Sequence, residues 1–254
     1  MKTIPIVNLK GGVGKTTTTI NLASILARDY KQRVLMIDAD PQGNLSQFFE
    51  AETEGSLCTT LQLLTHGTGF YPDFVCETGF DRLHLIPADM RLLEADVAAF
   101  QAGRAKLSAI ADLRDVLIED DAYDYLLIDC PPAFSAGTLA ALAAATEVII
   151  PIKLDAFATS GMVELMVQVD NMRKINPALR VAGLLITMYR PTELNIQAED
   201  YLRADRRFRV FASVIRQSDK VGDSTFVRDA LVDYSPRSAA CVDYRRFVRE
   251  YLGR

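Results

Sequence analysis

The segment Lys10-Gly11-Gly12-Val13-Gly14-Lys15-Thr16-Thr17-Thr18 narrows the possible folds more than any other stretch of this chain. Its three glycines let the backbone take conformations closed to residues that carry a side chain. Successive N–H groups can then turn inward, and where such a loop opens a helix they cradle an anion at the positive end of the helix dipole. The flanks agree, since the apolar run Thr3–Asn8 reads as a buried strand and Thr16–Arg28 as an amphipathic helix. In a strand, loop and helix of this kind Lys15 is expected to reach β- and γ-phosphates and the Thr16 hydroxyl to bind Mg²⁺. Lys10, Gly11, Gly12, Val13, Gly14 and Thr17 complete the expected phosphate cradle. The strict pattern G-x-x-x-x-G-K-[ST] is missed by one residue, because Leu9 stands where its first glycine belongs. A G-x-G-x-x-G dinucleotide pattern fares worse, with Thr17 at its third glycine.

The same alternation continues along the chain. Runs at Arg33–Asp38, Tyr125–Asp129, Glu147–Pro151, Val181–Thr187 and Val210–Ile215, with a weaker one at Arg82–Ile86, are apolar on successive residues, as in parallel strands buried on both faces. Helical patterns lie at Arg91–Gln101, Lys106–Ile118, Ser135–Ala145, Ala158–Arg173, Ile196–Ala204 and Pro236–Tyr251. This order predicts an α/β fold, a single doubly wound, mainly parallel sheet with helices on both faces. At 254 residues the simplest reading is one domain over 1–254 with an irregular excursion at about 50–80.

A composition 49% hydrophobic and 24% charged excludes a disordered or low-complexity chain, and a net charge of −5 excludes a polycation. Cys58, Cys76, Cys130 and Cys241 lack metal-ligand spacing, which fits reduced thiols. No signal peptide is visible, and the longest apolar region, Leu139–Ile152, is broken by Glu147 and Pro151. A cytoplasmic protein without membrane contact is therefore expected.

Phosphoryl transfer also requires a carboxylate on the metal side and a group that positions water. Asp129 closes the apolar run Tyr125–Ile128, the arrangement in which a carboxylate supports Mg²⁺. Asp38 and Asp40 close a second run, and in a parallel sheet both C-terminal edges face the crevice of the loop. Asp40 is the candidate for orienting water, with Asp38 nearer the metal. Taken singly, either segment reads equally well as a helix cap or turn former.

Lys-Gly-Gly-Val-Gly-Lys-Thr-Thr at 10–17 resembles the deviant Walker A box of the ParA/MinD family of P-loop ATPases. Asp40-Pro41-Gln42-Gly43-Asn44 resembles the ParA branch in particular, and further likenesses lie at Asn21-Leu22-Ala23, Asp129-Cys130-Pro131-Pro132, Val148–Ile152, Phe157-Ala158 and Leu185–Tyr189. They fade between about 50 and 80 and again after Arg216, where Gly222-Asp223-Ser224 replaces the Glu-Ala-Pro of many relatives. The resemblance implies ATP and Mg²⁺ as cofactors, slow hydrolysis with Lys10, Lys15 and Asp40 as catalytic residues, and homodimerisation on ATP binding. It places Lys10 across the dimer interface at the partner's nucleotide. It further implies nonspecific DNA binding on the nucleoid, a ParB-like centromere-binding partner that stimulates hydrolysis, and the short ParA form without an N-terminal helix-turn-helix domain.

Residues 201–254 hold 12 Lys and Arg against 7 Asp and Glu, a net +5 in a chain of net −5. Arg203, Arg206, Arg207, Arg216 and Lys220 are the candidates for sequence-independent phosphate contacts. Solvated helix faces paired with neighbouring acids explain any single arginine as well. The basic, amphipathic stretch Val242–Leu252 admits a MinD-like membrane anchor. Its stripe Tyr244, Phe247, Val248, Tyr251, Leu252 favours a helix docked on the sheet. A third reading, an ATP-driven reductase with a cluster between subunits, requires paired interface cysteines. His66 and His84 are too isolated to form a metal site.

Overall fold

The computed structural model describes residues 1–52, 59–67, 75–102, 107–155 and 158–253. Eight strands, β1 (Lys2–Ile6), β2 (Val34–Asp38), β3 (Cys76–Glu77), β4 (Leu83–Ile86), β5 (Tyr125–Asp129), β6 (Glu147–Lys153), β7 (Arg180–Tyr189) and β8 (Val210–Arg216), form one sheet in the order β3-β4-β2-β5-β1-β6-β7-β8. Every pairing is parallel except β3 with β4. The expected doubly wound sheet is thus present, with one antiparallel edge strand inside the stretch read as irregular.

The helices are α1 (Lys15–Tyr30), α2 (Asn44–Phe48), α3 (Thr60–His66), α4 (Leu93–Ala102), α5 (Ala109–Glu119), α6 (Ala136–Ala144), α7 (Ala158–Met172), α8 (Glu193–Ala204), α9 (Asp219–Phe226), α10 (Leu231–Tyr234) and α11 (Ala239–Tyr251). They cover both faces of the sheet. Ile4, Ile6, Val34, Met36, Leu127 and Ile149 point to the side of α1 and α11, while Leu35, Ile37, Leu126, Ile128, Val148 and Ile150 point to the side of α5 and α6. Both sets are buried, which is why the strands read as continuous apolar runs.

Pro5 lies in central β1, where a missing N–H would ordinarily break a ladder. Thr3 and Val7 donate toward the β6 side, so alternation puts the absent donor of Pro5 on that side too. There β1 and β6 pair only at Ile6 and Ile149.

Several boundaries move. α8 begins earlier than expected, capped by Thr192, and α11 begins at Ala239, capped by Ser238, which leaves Pro236 outside. α5 begins at Ala109, with Lys106 outside the described residues. Cys58 and Phe157 also lie outside them, and Cys130 and Cys241 carry free thiols. No helix among the described residues is long and apolar enough to cross a membrane.

Edge strand β8 is protected by side chains. Arg203 of α8 donates to the Phe211 carbonyl at 2.9 Å, and the Ala212 and Ser213 N–H groups donate to the Glu250 carboxylate at 2.7 and 2.8 Å. These contacts occupy groups that would otherwise template pairing with another chain.

Gly183 of β7 makes close approach possible, because an added Cβ would stand 2.9 Å from the ring of Phe211. That ring is buried and packs edge-on to Phe247 with centroids 5.0 Å apart. Gly183→Ala is expected to cost about 1–3 kcal/mol through overpacking, seen as a lower urea midpoint at unchanged m-value. An unchanged midpoint would show that the ring can yield.

Candidate functional site

The loop after β1 is shaped by its own backbone and pinned at two points. Gly12 and Gly14 have φ of 69° and 84°, conformations for which glycine carries no Cβ penalty. The Asn8 amide donates to the Pro151 carbonyl at 2.7 Å and accepts from the Lys10 N–H at 2.9 Å. Thr187 of β7 donates to the Val13 carbonyl at 2.8 Å. Asn8 and Thr187 were not visible as site residues in the sequence, since neither belongs to the glycine motif.

α1 starts at this loop without a side-chain cap, whereas Ser135, Thr192, Ser218 and Ser238 cap α6, α8, α9 and α11. Its first N–H groups are therefore left for an anion. A Cβ built on Gly11 or Gly12 meets nothing within 4 Å, so the loop is open on that side.

Beneath the loop the sheet gathers three acids. Asp38 and Asp129 are directly paired residues of β2 and β5, both fully buried. Asp129 accepts from the Thr16 hydroxyl at 2.6 Å. Asp38 accepts from the Ser46 N–H and hydroxyl at 2.9 and 2.7 Å and from the Asp40 N–H at 3.1 Å. Asp40, itself buried, accepts from the Gln42 N–H at 2.9 Å. Burial, reinforced by the charge of Asp38, pushes the Asp129 carboxyl well above the ordinary range. Burial likewise pushes Asp38 up to about 7, against the hydrogen bonds from Ser46. Lys15 is buried beside them and donates to the Lys10 carbonyl at 3.1 Å. Burial lowers its pKa, opposed by Asp129 and Asp40.

These residues fit a triphosphate and a hard divalent cation. Thr16 and Asp129 offer adjacent oxygens, the donor type Mg²⁺ takes. Among the described residues no group of three His, Cys, Asp or Glu could hold a metal by itself. Of the expected metal residues, Asp38 has both oxygens engaged, one by Ser46 of α2 and one by the Asp40 N–H.

The structure brings Lys15, Thr16, Asp38, Asp40 and Asp129 together. It turns Lys10 aside, into an ion pair with Asp155. Of the candidate DNA residues, Arg203, Arg206 and Arg207 precede β8, Arg216 is its last residue and Lys220 follows it. Arg203 pairs with Glu199, Arg207 with Asp205, Arg216 with Asp243 and Lys220 with Asp223. Arg206 is exposed.

Beside Gly14 and Thr17 opens a cavity of about 160 Å³, walled also by Met188, Arg216, Gly222 and Tyr244. Its position next to the phosphate loop suits the base of a nucleotide. Sequence reading missed it because its walls come from positions more than 200 residues apart. The α11 stripe is accounted for: Tyr244, Phe247 and Val248 are buried against α1 and β8.

Fold and site together define a P-loop nucleotide-binding α/β protein. Residues 1–181 match the family model described as an AAA domain. The chain is 36% identical over 256 residues to the chromosome-partitioning ATPase Soj of Thermus thermophilus, covering 100% of this chain and 96% of that one. It is 34% identical over 257 residues to the chromosome partitioning protein ParA of Caulobacter vibrioides, covering 100% and 95%. A solved structure of cobyrinic acid a,c-diamide synthase from Mycobacterium smegmatis with bound ATP analogue and magnesium matches at a TM-score of 0.82 and 26% identity, covering 100% and 97%. The chain belongs to the AAA domain family, as a ParA-type partition ATPase of the ParA/MinD group.

The buried acids carry a pH signature. With its folded pKa raised above the unfolded value near 3.8, Asp38 holds more proton in the native state. Its contribution to stability therefore falls as pH rises from about 4 to about 7. In metal-free protein the Tm of wild type relative to Asp38→Asn should drop between pH 5 and pH 8. A difference that does not vary with pH would remove Asp38 as the titrating group.

Proposed function

We propose that this protein is a cytoplasmic, single-domain DNA-partition switch. In this reading Mg-ATP binding closes a homodimer that holds DNA without sequence preference, and slow hydrolysis, stimulated by a ParB-like partner, releases it. The observation that carries the nucleotide part is the Lys15–Thr16–Asp129 cluster at the uncapped start of α1. Mg-ATP would supply the transferable γ-phosphoryl group, and its metal ion would set a positive charge beside the Asp129 carboxylate. Lys15 and the loop N–H groups from Gly11 to Thr17 hold phosphate oxygens. Thr16 and Asp129 hold the ion, and Asp38 steadies the turn that carries Asp40. Asp40 orients the attacking water through the carboxylate oxygen that Gln42 leaves free. Lys10 leaves Asp155 and stabilises developing charge in the partner subunit's site.

The curated relatives support the DNA function: the names of Soj and ParA specify chromosome partitioning. The MinD-like membrane reading is the alternative, and the burial of Tyr244, Phe247 and Val248 counts against it, because the apolar face of α11 is already occupied.

Lys15→Ala and Asp40→Ala should each reduce phosphate release at least a hundredfold, about 2.7 kcal/mol or more of barrier. Lys15→Ala should also weaken ATP binding, while Asp40→Ala retains it. Normal turnover in either variant would refute its assigned role, and Lys10→Ala with intact dimerisation and turnover would refute the trans contact. DNA retention should require ATP rather than ADP and fall steeply with salt. ATP-dependent sedimentation with anionic vesicles and not with DNA would favour the membrane reading.

A further inference from the structure

The cavity beside Gly14 has walls that cannot move independently. On one side, the Tyr244 hydroxyl lies 3.2 Å from that of Thr18 in α1, with both side chains buried. On the other, the neighbouring residue Asp243 is buried on α11 and accepts three hydrogen bonds from Arg216 at the end of β8. They come from its N–H at 3.0 Å, Nε at 2.7 Å and Nη2 at 2.8 Å. Widening the cavity would therefore break a carboxylate–guanidinium pair whose acid is out of water, a costly loss.

The remaining wall is α9. Ser218, Val221 and Gly222 line the cavity at helical spacing, on one face of that helix. Glycine inside a helix costs roughly 1 kcal/mol relative to alanine. Neither backbone nor packing among the described residues requires it here, since Gly222 does not have the positive φ of Gly12 or Gly14 and an added Cβ meets no described atom within 4 Å. What the missing side chain preserves is space over the cavity.

We infer that Gly222 determines the size of the base that this site accepts, by leaving open the room a purine ring fills between α9 and the fixed walls. This rests on the nucleotide reading proposed above. The test measures binding of Mg-ATP and of inorganic tripolyphosphate, which carries the phosphate tail without a base, to wild type, Gly222→Ala and Gly222→Leu. The Kd for ATP should rise with side-chain size, several-fold for alanine and about thirtyfold or more for leucine. The Kd for tripolyphosphate should stay within about twofold, and thermal stability should not fall, since both substitutions favour helix. Gly222→Leu that binds ATP like wild type would overturn the assignment while leaving the nucleotide site standing, as would equal loss of both ligands. Wild-type protein that binds neither ligand would overturn the nucleotide reading itself, and this assignment with it.

Discussion

Two carboxylates face each other on adjacent strands, fully buried, with one lysine ammonium to answer them. Asp38 and Asp129 are in register because β2 and β5 are, and Lys15 reaches them because α1 begins where the β1 loop ends. Such a cluster is costly to bury: loss of water raises both acids and lowers Lys15, and the charge of Asp38 adds to the rise of Asp129. The fold tolerates it by distributing hydrogen bonds: Ser46 secures Asp38, Thr16 secures Asp129, and the Ser46 hydroxyl in turn accepts from the Ala88 N–H at 2.9 Å. A divalent cation at Thr16 and Asp129 would set positive charge against these acids, while an anionic polyphosphate would be answered by Lys15 and the uncapped N–H groups of α1. The Ser46 contacts also tie the turn carrying Asp40 to the sheet, so a change of charge at Asp38 is felt directly in that turn.

The elements legible in the sequence were those whose identity depends on local pattern. A strand buried on both faces is apolar at every position, and β2 and β5 are buried throughout. The glycine loop announced itself because its chemistry lies in consecutive residues. α2 and α9–α10 were missed because they are short, and a turn or two gives too little periodicity to register. The cavity beside Gly14 was illegible for a different reason: Gly14, Met188, Arg216 and Tyr244 meet only after the chain has wound through the whole sheet.

The basic residues of the net +5 segment 201–254 have structural partners of their own: Arg203, Arg207, Arg216 and Lys220 each pair with a nearby acid. Arg203 caps the carbonyls of an edge strand, and Arg216 braces a cavity wall. Both serve as hydrogen-bond forks, a use for which the planar guanidinium is suited independently of any polyanion.

Lys10 shows the opposite arrangement, a cation whose present partner holds it weakly. Its ion pair with Asp155 joins side chains 38% and 31% exposed, and pairs so open to water contribute about 0–1 kcal/mol. Lys15, five residues later, is buried under its own loop and cannot leave without abandoning the acids. The two amines of one short loop therefore differ in mobility because they differ in burial. A lysine that must exchange partners during a cycle belongs at the exposed position, where little is lost on release. One that must hold phosphate in every state belongs at the buried one, so the order of the two along the loop matches the division of labour proposed for them.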